Sequence, residues 1–514
     1  MIKKKRSNRE VLKFLTLAIV PLSITCTSVV AQATDAESEG DANSNIKVGG
    51  YLRGWASWNL ADAPDVPGDD KRKLSMLRGS ASLNASAKTG DLTWSGIVRA
   101  DVEGNTRYQR DLQKLNQTNT PGGPGADLMK ELRNADLREF YVDANLGDRV
   151  KLRLGKQQIV WGETDFFHPS DVIHGFDYRW RQFLEGEGDE LRKPLILVNA
   201  KIDVPEANGN LQILVRPGLD RKKDIGNTYD LYGGRWMPQP YRGNDFLTIL
   251  PYDYEHPKGN YKDVTGGFRW VGSTDKLNYS FSYVTTFQGD PVINPVTTPY
   301  YKTPTGVLGN FIFPKISVAS ASVSGEISAI DAVLNAEIAF QQGNLYNSDP
   351  NAIPLPGWGA VVKKDVVKTT LRADKQLRLM DWLGTNQASF ASVQLFDSWI
   401  KNFKSYENAV AFGGYPAKLK EHDTVLTAFI VLNYMNSKLN PQIAVGRNLS
   451  TGDAFIIPSI SYQYGNNWRI SAEADLFYTK HQPLGKGAKA EQSYPLSDFL
   501  SNHDQLLIRA TYQF

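Results

Sequence analysis

Many segments of this chain alternate hydrophobic and polar residues with a period of two, which is the spacing of a β-strand with one apolar and one polar face. The last ten residues show the pattern most clearly. One face carries Leu506, Ile508, Ala510, Tyr512 and Phe514, and the other carries Gln505, Arg509, Thr511 and Gln513, with Leu507 as the exception. Because helical periodicity is nowhere sustained, the pattern predicts an all-β protein.

The same alternation predicts eighteen strands, with connectors that alternate between short and long. The strands cover 46–58, 74–88, 91–104, 134–146, 150–161, 195–204, 210–217, 262–272, 276–288, 311–324, 327–341, 363–374, 387–399, 422–434, 440–448, 455–464, 468–480 and 505–514. Short periplasmic turns and long outer loops are typical of a closed antiparallel transmembrane β-barrel. Since 375–386 is too long and 449–454 too short for this scheme, we expect about 16 to 18 strands.

The polar faces of the predicted strands place charges of both signs in the barrel interior. The residues expected to face the lumen are Arg99, Asp101, Glu103, Arg469, Glu473 and Asp475. Mixed charge argues against a strongly cationic or anionic filter. The alternative is that these side chains only brace and solvate the wall, as charges commonly do inside barrels.

The first 33 residues have the features of a cleaved export signal. A basic segment precedes the apolar stretch 14–24, and the small residues Ala31 and Ala33 mark the expected cleavage site. The only cysteine, Cys26, would leave with this segment. We therefore expect a signal peptide at 1–33, a short polar segment at 34–45 that is too small for a plug domain, and a single barrel at 46–514, located in the outer membrane of a Gram-negative bacterium.

Composition is consistent with a barrel and argues against a helical membrane protein and a nucleic-acid-binding protein. The mean hydropathy is −0.38, and after the signal no apolar run is long enough for a transmembrane helix. Residues 1–33 hold six Lys or Arg and one Glu, which leaves 52 basic and 54 acidic side chains in the rest of the chain. A nearly neutral mature chain gives no support for nucleic-acid binding.

A motif that begins at Arg153 and continues to Leu195 carries a family resemblance. The stretch RLGKQQIVWGE at 153–163 is followed by DVIHGFDYR at 171–179 and by DELRKPL at 189–195. These segments resemble the outer-membrane family known as domain of unknown function 1302. The matching positions are Gly155, Gln157 or Gln158, Trp161, Gly162, Glu163, Asp177, Arg192 and Pro194. In the middle of the motif, His174 and Gly175 stand where that family has Asn-Pro, and the stretch HPSD at 168–171 offers a second register. The resemblance implies an outer-membrane barrel that handles hydrophobic compounds such as lipids, sterols or hydrocarbons, with no settled activity.

The segment 162–194 is too long and too rich in aromatic and charged residues for a simple turn. Trp161, Phe166, Phe167, Phe176, Tyr178, Trp180 and Phe183 supply apolar area, and Glu163, Asp177, Arg179, Arg181 and Arg192 supply charge. Folded into the lumen, it would gate the barrel with an aromatic surface, anchored at its ends by Glu163 and Arg192. The alternative is an outer loop that packs on the barrel rim.

Enzyme motifs and metal sites are not evident in the sequence. There is no Gly-x-Ser-x-Gly elbow and no phosphate-binding Gly-rich loop, and adjacent His503 and Asp504 would point to opposite faces of a strand. His168, Asp171 and His174 fit no standard ligand spacing. We expect no cofactor and no catalytic site.

The function expected first is a channel for passive uptake or export of small, poorly soluble molecules. A general or substrate-selective porin for polar solutes is the alternative, and a barrel-borne enzyme is a distant third. The expected partners are outer-membrane lipid, the solute, a periplasmic lipid-handling partner and the barrel assembly machinery. Tyr512 and Phe514 would serve as the signal for that machinery, since the ending resembles that of Gram-negative outer-membrane barrels.

Overall fold

The computed structural model describes most of the chain beyond the predicted export signal. The described residues are 46–62, 66, 70–120, 123–162, 167, 169–185, 188–237, 241–256, 258–349, 357–411, 418–479, 500 and 502–514. The predicted signal peptide, the polar segment 34–45 and Glu163 lie outside them.

Strands account for most of the described residues. They are β1 Ile46–Asn59, β2 Leu74–Thr89, β3 Leu92–Glu103, β4 Arg133–Leu146, β5 Val150–Gln157, β6 Leu195–Val204, β7 Gly209–Arg216, β8 Tyr252–Asp253, β9 Thr265–Ser273, β10 Leu277–Phe287, β11 Val292–Pro295, β12 Gly309–Ile312, β13 Lys315–Ile327, β14 Ala332–Ser348, β15 Ala360–Leu377, β16 Ser389–Ile400, β17 His422–Val431, β18 Leu439–Asn448, β19 Ala454–Tyr464, β20 Trp468–Tyr478 and β21 Gln505–Gln513.

Helices are short and confined to connectors. They are α1 Arg107–Asn119, α2 Leu128–Glu131, α3 Gly188–Leu191 and α4 Met380–Leu383, with single 3₁₀ turns at Gln182–Leu184, Pro205–Ala207, Lys222–Asp224 and Ser405–Glu407. Thr106 caps α1 by accepting a hydrogen bond from the backbone N–H of Gln109. In the described part of the chain, none of these helices has the length and apolar character needed to cross a membrane.

Eighteen of the described strands form one closed antiparallel sheet. Each pairs with its neighbours in chain order, with β8, β11 and β12 left out, and β21 pairs with β1 to complete the ring. The three omitted strands make a separate small sheet among the long loops. The predicted fold class is therefore confirmed, with eighteen strands rather than sixteen.

Two strand boundaries differ from the predicted ones because neighbouring loop residues adopt other structure there. The predicted strand 150–161 ends at Gln157, two residues after Gly155 adopts a φ of +128°, because the chain turns into the barrel there. The predicted strand 311–324 starts instead at Lys315, since residues 309–312 belong to the small sheet. The connectors 378–388 and 449–453 keep the irregular lengths expected from the sequence.

The outer surface of the ring is apolar and carries aromatic residues near both ends. Exposed outward side chains include Leu52, Val98, Val198, Ile213, Phe281, Val323, Ile338, Leu371, Val393, Leu426, Val445, Ile456 and Ile460. Trp94, Tyr464 and Trp468 lie at the end with short turns, and Tyr283, Trp399 and Tyr478 lie at the end with long loops. An apolar band between two aromatic girdles is the surface that a membrane-spanning barrel presents to lipid.

The last strand closes the ring with its aromatic side chains outward. The Tyr512 ring centroid lies 5.1 Å from that of Trp468, and Phe514 exchanges backbone hydrogen bonds of 2.9 and 3.1 Å with Gly50. Changing Tyr512 and Phe514 to Asp is expected to lower the membrane level of folded protein at least about tenfold. A charge near the membrane interface costs only about 0–1 kcal/mol, so failed recognition during assembly should dominate.

The measurement is heat-modifiable electrophoretic mobility in the membrane fraction, and Gln513→Asp is the matched control. Gln513 is exposed and lies between the two aromatic residues but on the other face. The control should assemble normally. Normal levels of the double Asp variant would refute the role assigned to this strand.

Candidate functional site

The chain leaves the wall after β5, and the described part of the β5–β6 loop, which comprises residues 158–194, continues inside the barrel. A Cβ atom on Gly155 would lie 2.3 Å from the carbonyl oxygen of Phe140, so the position requires glycine. Trp161 is buried and donates a 2.9 Å hydrogen bond from Nε1 to Oε1 of Gln212 on the inner face of β7. The beginning of the loop is therefore fixed to the inside of the wall.

The loop next contacts the far wall of the barrel. The backbone N–H of Ser170 donates to Oε1 of Glu337 on β14 at 2.8 Å, and the ring centroids of Phe167 and Phe396 on β16 lie 4.8 Å apart. Glu337 and Phe396 are both buried side chains on the inner face. Counted around the ring, β14 is the eleventh strand and β2 the second, so these two strands lie on opposite sides of the lumen.

The loop then returns across the lumen to β20 and β2. Arg181 donates from Nη2 to Oε1 of Glu473 at 2.5 Å and to Oδ2 of Asp475 at 2.9 Å, both on β20. The guanidinium of Arg78, on β2, lies 4.1 Å from the ring centroid of Trp180. Because it contacts opposite walls, the described part of the loop crosses the lumen.

Two loop carboxylates insert into a group of arginines on the inner wall. The ion pairs are Arg78 with Glu185 at 2.8 Å, Arg53 with Glu190 at 2.8 Å, Arg99 with Glu190 at 3.0 Å and Arg99 with Glu185 at 3.5 Å. Burial raises the pKa of Glu190, but Arg53 and Arg99 outweigh it and hold that pKa well below its usual range. Removing one partner of a buried ion pair typically destabilises a protein by several kcal/mol, so these pairs hold the loop firmly.

The other charges predicted to face inward also lie on the inner wall. Asp101 binds Arg99 at 2.9 Å and accepts a 2.6 Å hydrogen bond from Ser80. Glu103 forms an ion pair with Arg235 and accepts a 2.7 Å hydrogen bond from Gln109. Arg469 is half-buried near the short-turn end of β20.

Motif residues in the middle of the loop form local contacts. Asp177 and Arg179 make a bidentate ion pair with distances of 2.7 and 2.8 Å, and Phe183 packs with its ring centroid 6.1 Å from that of Phe455. Gln158 donates a 2.8 Å hydrogen bond to Glu139. Each contact ties the loop to itself or to the wall.

The end of the loop is fixed by Arg192. Its guanidinium binds Asp171 at 2.6 Å and Asp189 at 2.8 Å, and Pro194 is buried just before β6. A Cβ on Gly162 would lie 3.1 Å from the Cβ of Asp171, so the two ends of the loop share one anchor residue. The predicted partnership with Glu163 lies outside the described residues.

His174 has a structural environment. Its Nε2 accepts a 2.8 Å hydrogen bond from the backbone N–H of Ile159, and its Nδ1 lies 3.0 Å from the carbonyl oxygen of Lys193. Burial lowers the pKa of His174 to about 4, so the ring is neutral at pH 7 and Nδ1 carries the proton. Across the described ranges, no group of three His, Cys, Asp or Glu side chains could hold a metal ion.

A continuous apolar surface, here called the apolar track, covers the inner wall from β16 to β20. It comprises Phe390, Phe429, Val431, Ala444, Phe455, Ile457 and Phe477. Neighbouring members pair directly across the strands: Phe455 with Phe477, and Phe390 with Val431. Because Phe477 lies near the long-loop end and Phe390 near the short-turn end, the track extends along much of the wall. Phe183, Leu184, Trp236 and Leu500 cover it from the lumen.

The track and a second inserted segment were not foreseen from the sequence. Residues 217–264, between β7 and β9, place Trp236 on the track and Arg235 against Glu103. Arg242 in the same segment donates a 3.0 Å hydrogen bond to the hydroxyl of Tyr108. The aromatic and charged composition that pointed to the β5–β6 loop is also present here, with Tyr229, Tyr232, Trp236, Tyr241 and Phe246, and could have identified it.

The candidate catalytic pair has separate partners. The ring centroid of His503 lies 5.1 Å from that of Trp236, whereas Asp504 accepts a 2.9 Å hydrogen bond from the backbone N–H of Phe477. These contacts attach the segment before β21 to the apolar track at its long-loop end.

Several solved structures are similar to the chain at low identity. OccAB3 of Acinetobacter baumannii matches at 8% identity and a TM-score of 0.45, covering 91% of this chain and 99% of its own. OccK1 of Pseudomonas aeruginosa matches at 11% and 0.44, covering 91% and 98%. OmpF of Salmonella typhi, in complex with daunomycin, matches at 10% and 0.40, covering 91% and 97%. No curated protein matches by sequence.

A family model also matches the chain by sequence. It is described as a protein of unknown function, DUF1302, and it matches residues 14–514, which is nearly the whole chain. The resemblance carried by the motif at 153–195 is thereby extended to all eighteen strands of the ring. This chain belongs to the DUF1302 family.

Proposed function

We propose that this protein is an outer-membrane channel for small, poorly soluble molecules, which move along the apolar track. The observation that carries the proposal is the apolar inner wall of β16–β20, faced by Phe183 of the β5–β6 loop and by Trp236 of segment 217–264. Barrels of this size enclose water unless loops fill them, and their inner walls are ordinarily polar. An apolar inner wall reduces the cost of moving a hydrophobic solute past it.

The charges in the lumen support a pathway on one side of the barrel. Arg181, Glu473 and Asp475 are buried and bound to one another, as are the arginines around Glu185 and Glu190. Such groups are already satisfied and bind the loop to β1–β3 and β20. In the described part of the loop, Phe183 and Leu184 meet the track through apolar contacts, including that of Phe183 with Phe455. Apolar contacts are easier to exchange for contacts with an apolar solute than ion pairs are.

Membrane location is supported by the outer surface of the ring. Its apolar side chains and aromatic girdles match the surface expected in a lipid bilayer. The end with short turns would face the periplasm and the end with long loops the outside.

A porin for polar solutes is the second candidate, and one observation favours it. A small polar cavity of about 20 Å³ lies between the loop and β3–β4, lined by Arg99, Asp101, Arg138 and Glu190 among others. A cavity of that size holds about one water molecule, so polar solutes would follow that side of the loop only after the cavity widens. No cluster among the described residues favours the third possibility, a barrel-borne enzyme.

The test is permeation by reconstituted protein carrying Phe429→Ser and Phe455→Ser together. Permeation of an apolar probe is expected to fall about tenfold, because losing two buried aromatic side chains removes several kcal/mol of apolar contact. Permeation of a small sugar should stay within a factor of about two of the wild-type rate. Both rates are measured in the same proteoliposomes.

Phe429→Leu with Phe455→Leu is the matched control, since it preserves an apolar wall at the same positions. It should keep both rates near wild type. Equal loss of sugar and apolar permeation, or no loss of apolar permeation in correctly folded Ser variant, would reject the track and favour the polar porin. Growth of a deletion strain on apolar and polar carbon sources is the corresponding test in cells.

A further inference from the structure

A cleft on the outside of the barrel lies at the long-loop end of β10, β13 and β14. Its volume is about 370 Å³. Thr285, Lys315, Ser317 and Gln342 form its floor. These side chains continue the outward rows of Phe281 and Ile338, so the cleft opens on the face that carries the apolar band. Lys258, Gly259, Asp263, Tyr300 and Tyr301 from the outer loops also line it.

The cleft has an excess of positive charge. Lys258, Lys315 and Lys363 line it together with one carboxylate, Asp263. Lys315 lies 3.9 Å from Asp263 and donates to the carbonyl oxygen of Val264 at 3.1 Å. Asp263 also accepts a 3.0 Å hydrogen bond from the backbone N–H of Gly259. Within the described part of the chain, neither Lys258 nor Lys363 has a carboxylate within ion-pair distance, so two ammonium groups have no local counter-charge.

The height of the cleft on the barrel indicates what could supply that counter-charge. It lies where the apolar band ends and the long loops begin, which is where the headgroups of a surrounding leaflet would lie. Tyr300 and Tyr301 line it with rings that combine an apolar body and a polar hydroxyl, as is typical of membrane interfaces. Lys401 extends the basic surface, with its Nζ 5.5 Å from the ring centroid of outward-facing Phe340.

We propose that this cleft binds the phosphate group of a lipid headgroup in the leaflet at the long-loop end of the barrel. The proposal relies on the membrane location given under the proposed function, but on neither the track nor the transported solute. Lysine ammonium groups bind phosphate as point charges, and a cleft open toward lipid admits a headgroup while its acyl chains remain against the apolar band. The phosphate is held between Lys258, Lys315 and Lys363.

The experiment compares the purified full-length protein with the variant Lys258→Gln, Lys315→Gln, Lys363→Gln. The probe is diphosphorylated lipid A in phosphatidylcholine nanodiscs, and binding is followed by native mass spectrometry and by titration. Affinity is expected to fall about a hundredfold in the variant, on the order of fivefold for each basic side chain near an anionic lipid. Lys→Arg at the same three positions should bind like wild type.

The matched control removes three exposed lysines at the opposite end of the barrel, with Lys88→Gln, Lys276→Gln and Lys438→Gln. It changes the net charge equally and should leave lipid A binding intact. Dephosphorylated lipid A should bind neither protein measurably. Wild-type affinity in the cleft variant, or equal loss in the control, would overturn the proposal.

Two further measurements distinguish a lipid site from a site for soluble anions, and lipid binding from permeation. Inorganic phosphate alone is titrated against both proteins, and phosphate that binds as tightly as lipid A would show a soluble-anion site and overturn the lipid assignment. Permeation of the apolar probe should be unchanged in the cleft variant. Loss of lipid binding with normal permeation supports this site whatever the transported solute is, and normal binding refutes it without affecting the proposed channel.

Discussion

Replacing residues 167–190 with a short Gly-Ser linker is expected to raise single-channel conductance in planar bilayers several-fold and to admit larger polar solutes. The described part of this segment crosses the lumen between β14 and β2. Without it, segment 217–264 would still fill part of the lumen, but the eighteen-stranded ring should hold a wider aqueous passage. The wall residues that lose partners, Arg78, Glu473 and Asp475 among them, would become hydrated in that passage, so the barrel should still assemble.

A deletion of residues 302–305 is the control, because this mostly exposed segment lies in an outer loop. Its conductance should equal that of wild type. If the shortened β5–β6 loop variant folds correctly but conducts like wild type, the loop does not limit permeation and its gating role must be abandoned.

Changing Arg181 to Met is expected to release the loop from β20 and to lower the thermal stability of the folded protein strongly. Glu473 and Asp475 would remain buried without their cation, which typically costs about 3–5 kcal/mol. The loop should then detach locally, since its pairing with β20 is lost. The expected result is a lower midpoint of heat-induced unfolding, together with large fluctuations in single-channel current.

The control for this prediction also neutralises Glu473 and Asp475, the two carboxylates that accept hydrogen bonds from Arg181. The triple variant Arg181→Met, Glu473→Gln, Asp475→Asn leaves no uncompensated charge and should recover most of the lost stability. Equal midpoints for the single and triple variants would show that the ion pairs do not stabilise the loop. A quiet current trace from the single variant would argue against loop detachment.

The strands could be predicted because each is recognised from the two-residue alternation within its own sequence. Leu506, Ile508 and Arg509 reveal the two faces of β21 without knowledge of any neighbour. The strand count followed from turn signals in the same way. The boundary of β5 differs from the prediction because the chain leaves the wall after Gln157, where contacts of the loop and not the strand pattern decide its path.

The interior was only partly predictable because its contacts join residues far apart in the chain. Composition showed that the β5–β6 loop is rich in aromatic residues and charges, but not that Arg181 would meet Glu473, 292 positions later. The apolar track left a weaker local signal. β16, β17 and β19 contain Phe390, Phe429 and Phe455 on the face where the alternation predicts polar residues.

The pairing of β1 with β21 also constrains the order in which the protein can mature. Arg53 and Thr511 are hydrogen-bonded partners separated by 458 positions, so the free edge of β1 must persist until the last strand arrives. An unpaired strand edge is prone to aggregation, and contacts of such long range form slowly. Arg53 at the seam also binds Glu190 of the β5–β6 loop, so the seam and the loop share a residue in the folded protein. Closure and filling of the lumen are therefore coupled, and a chain that closes with its loop outside would be a kinetic trap.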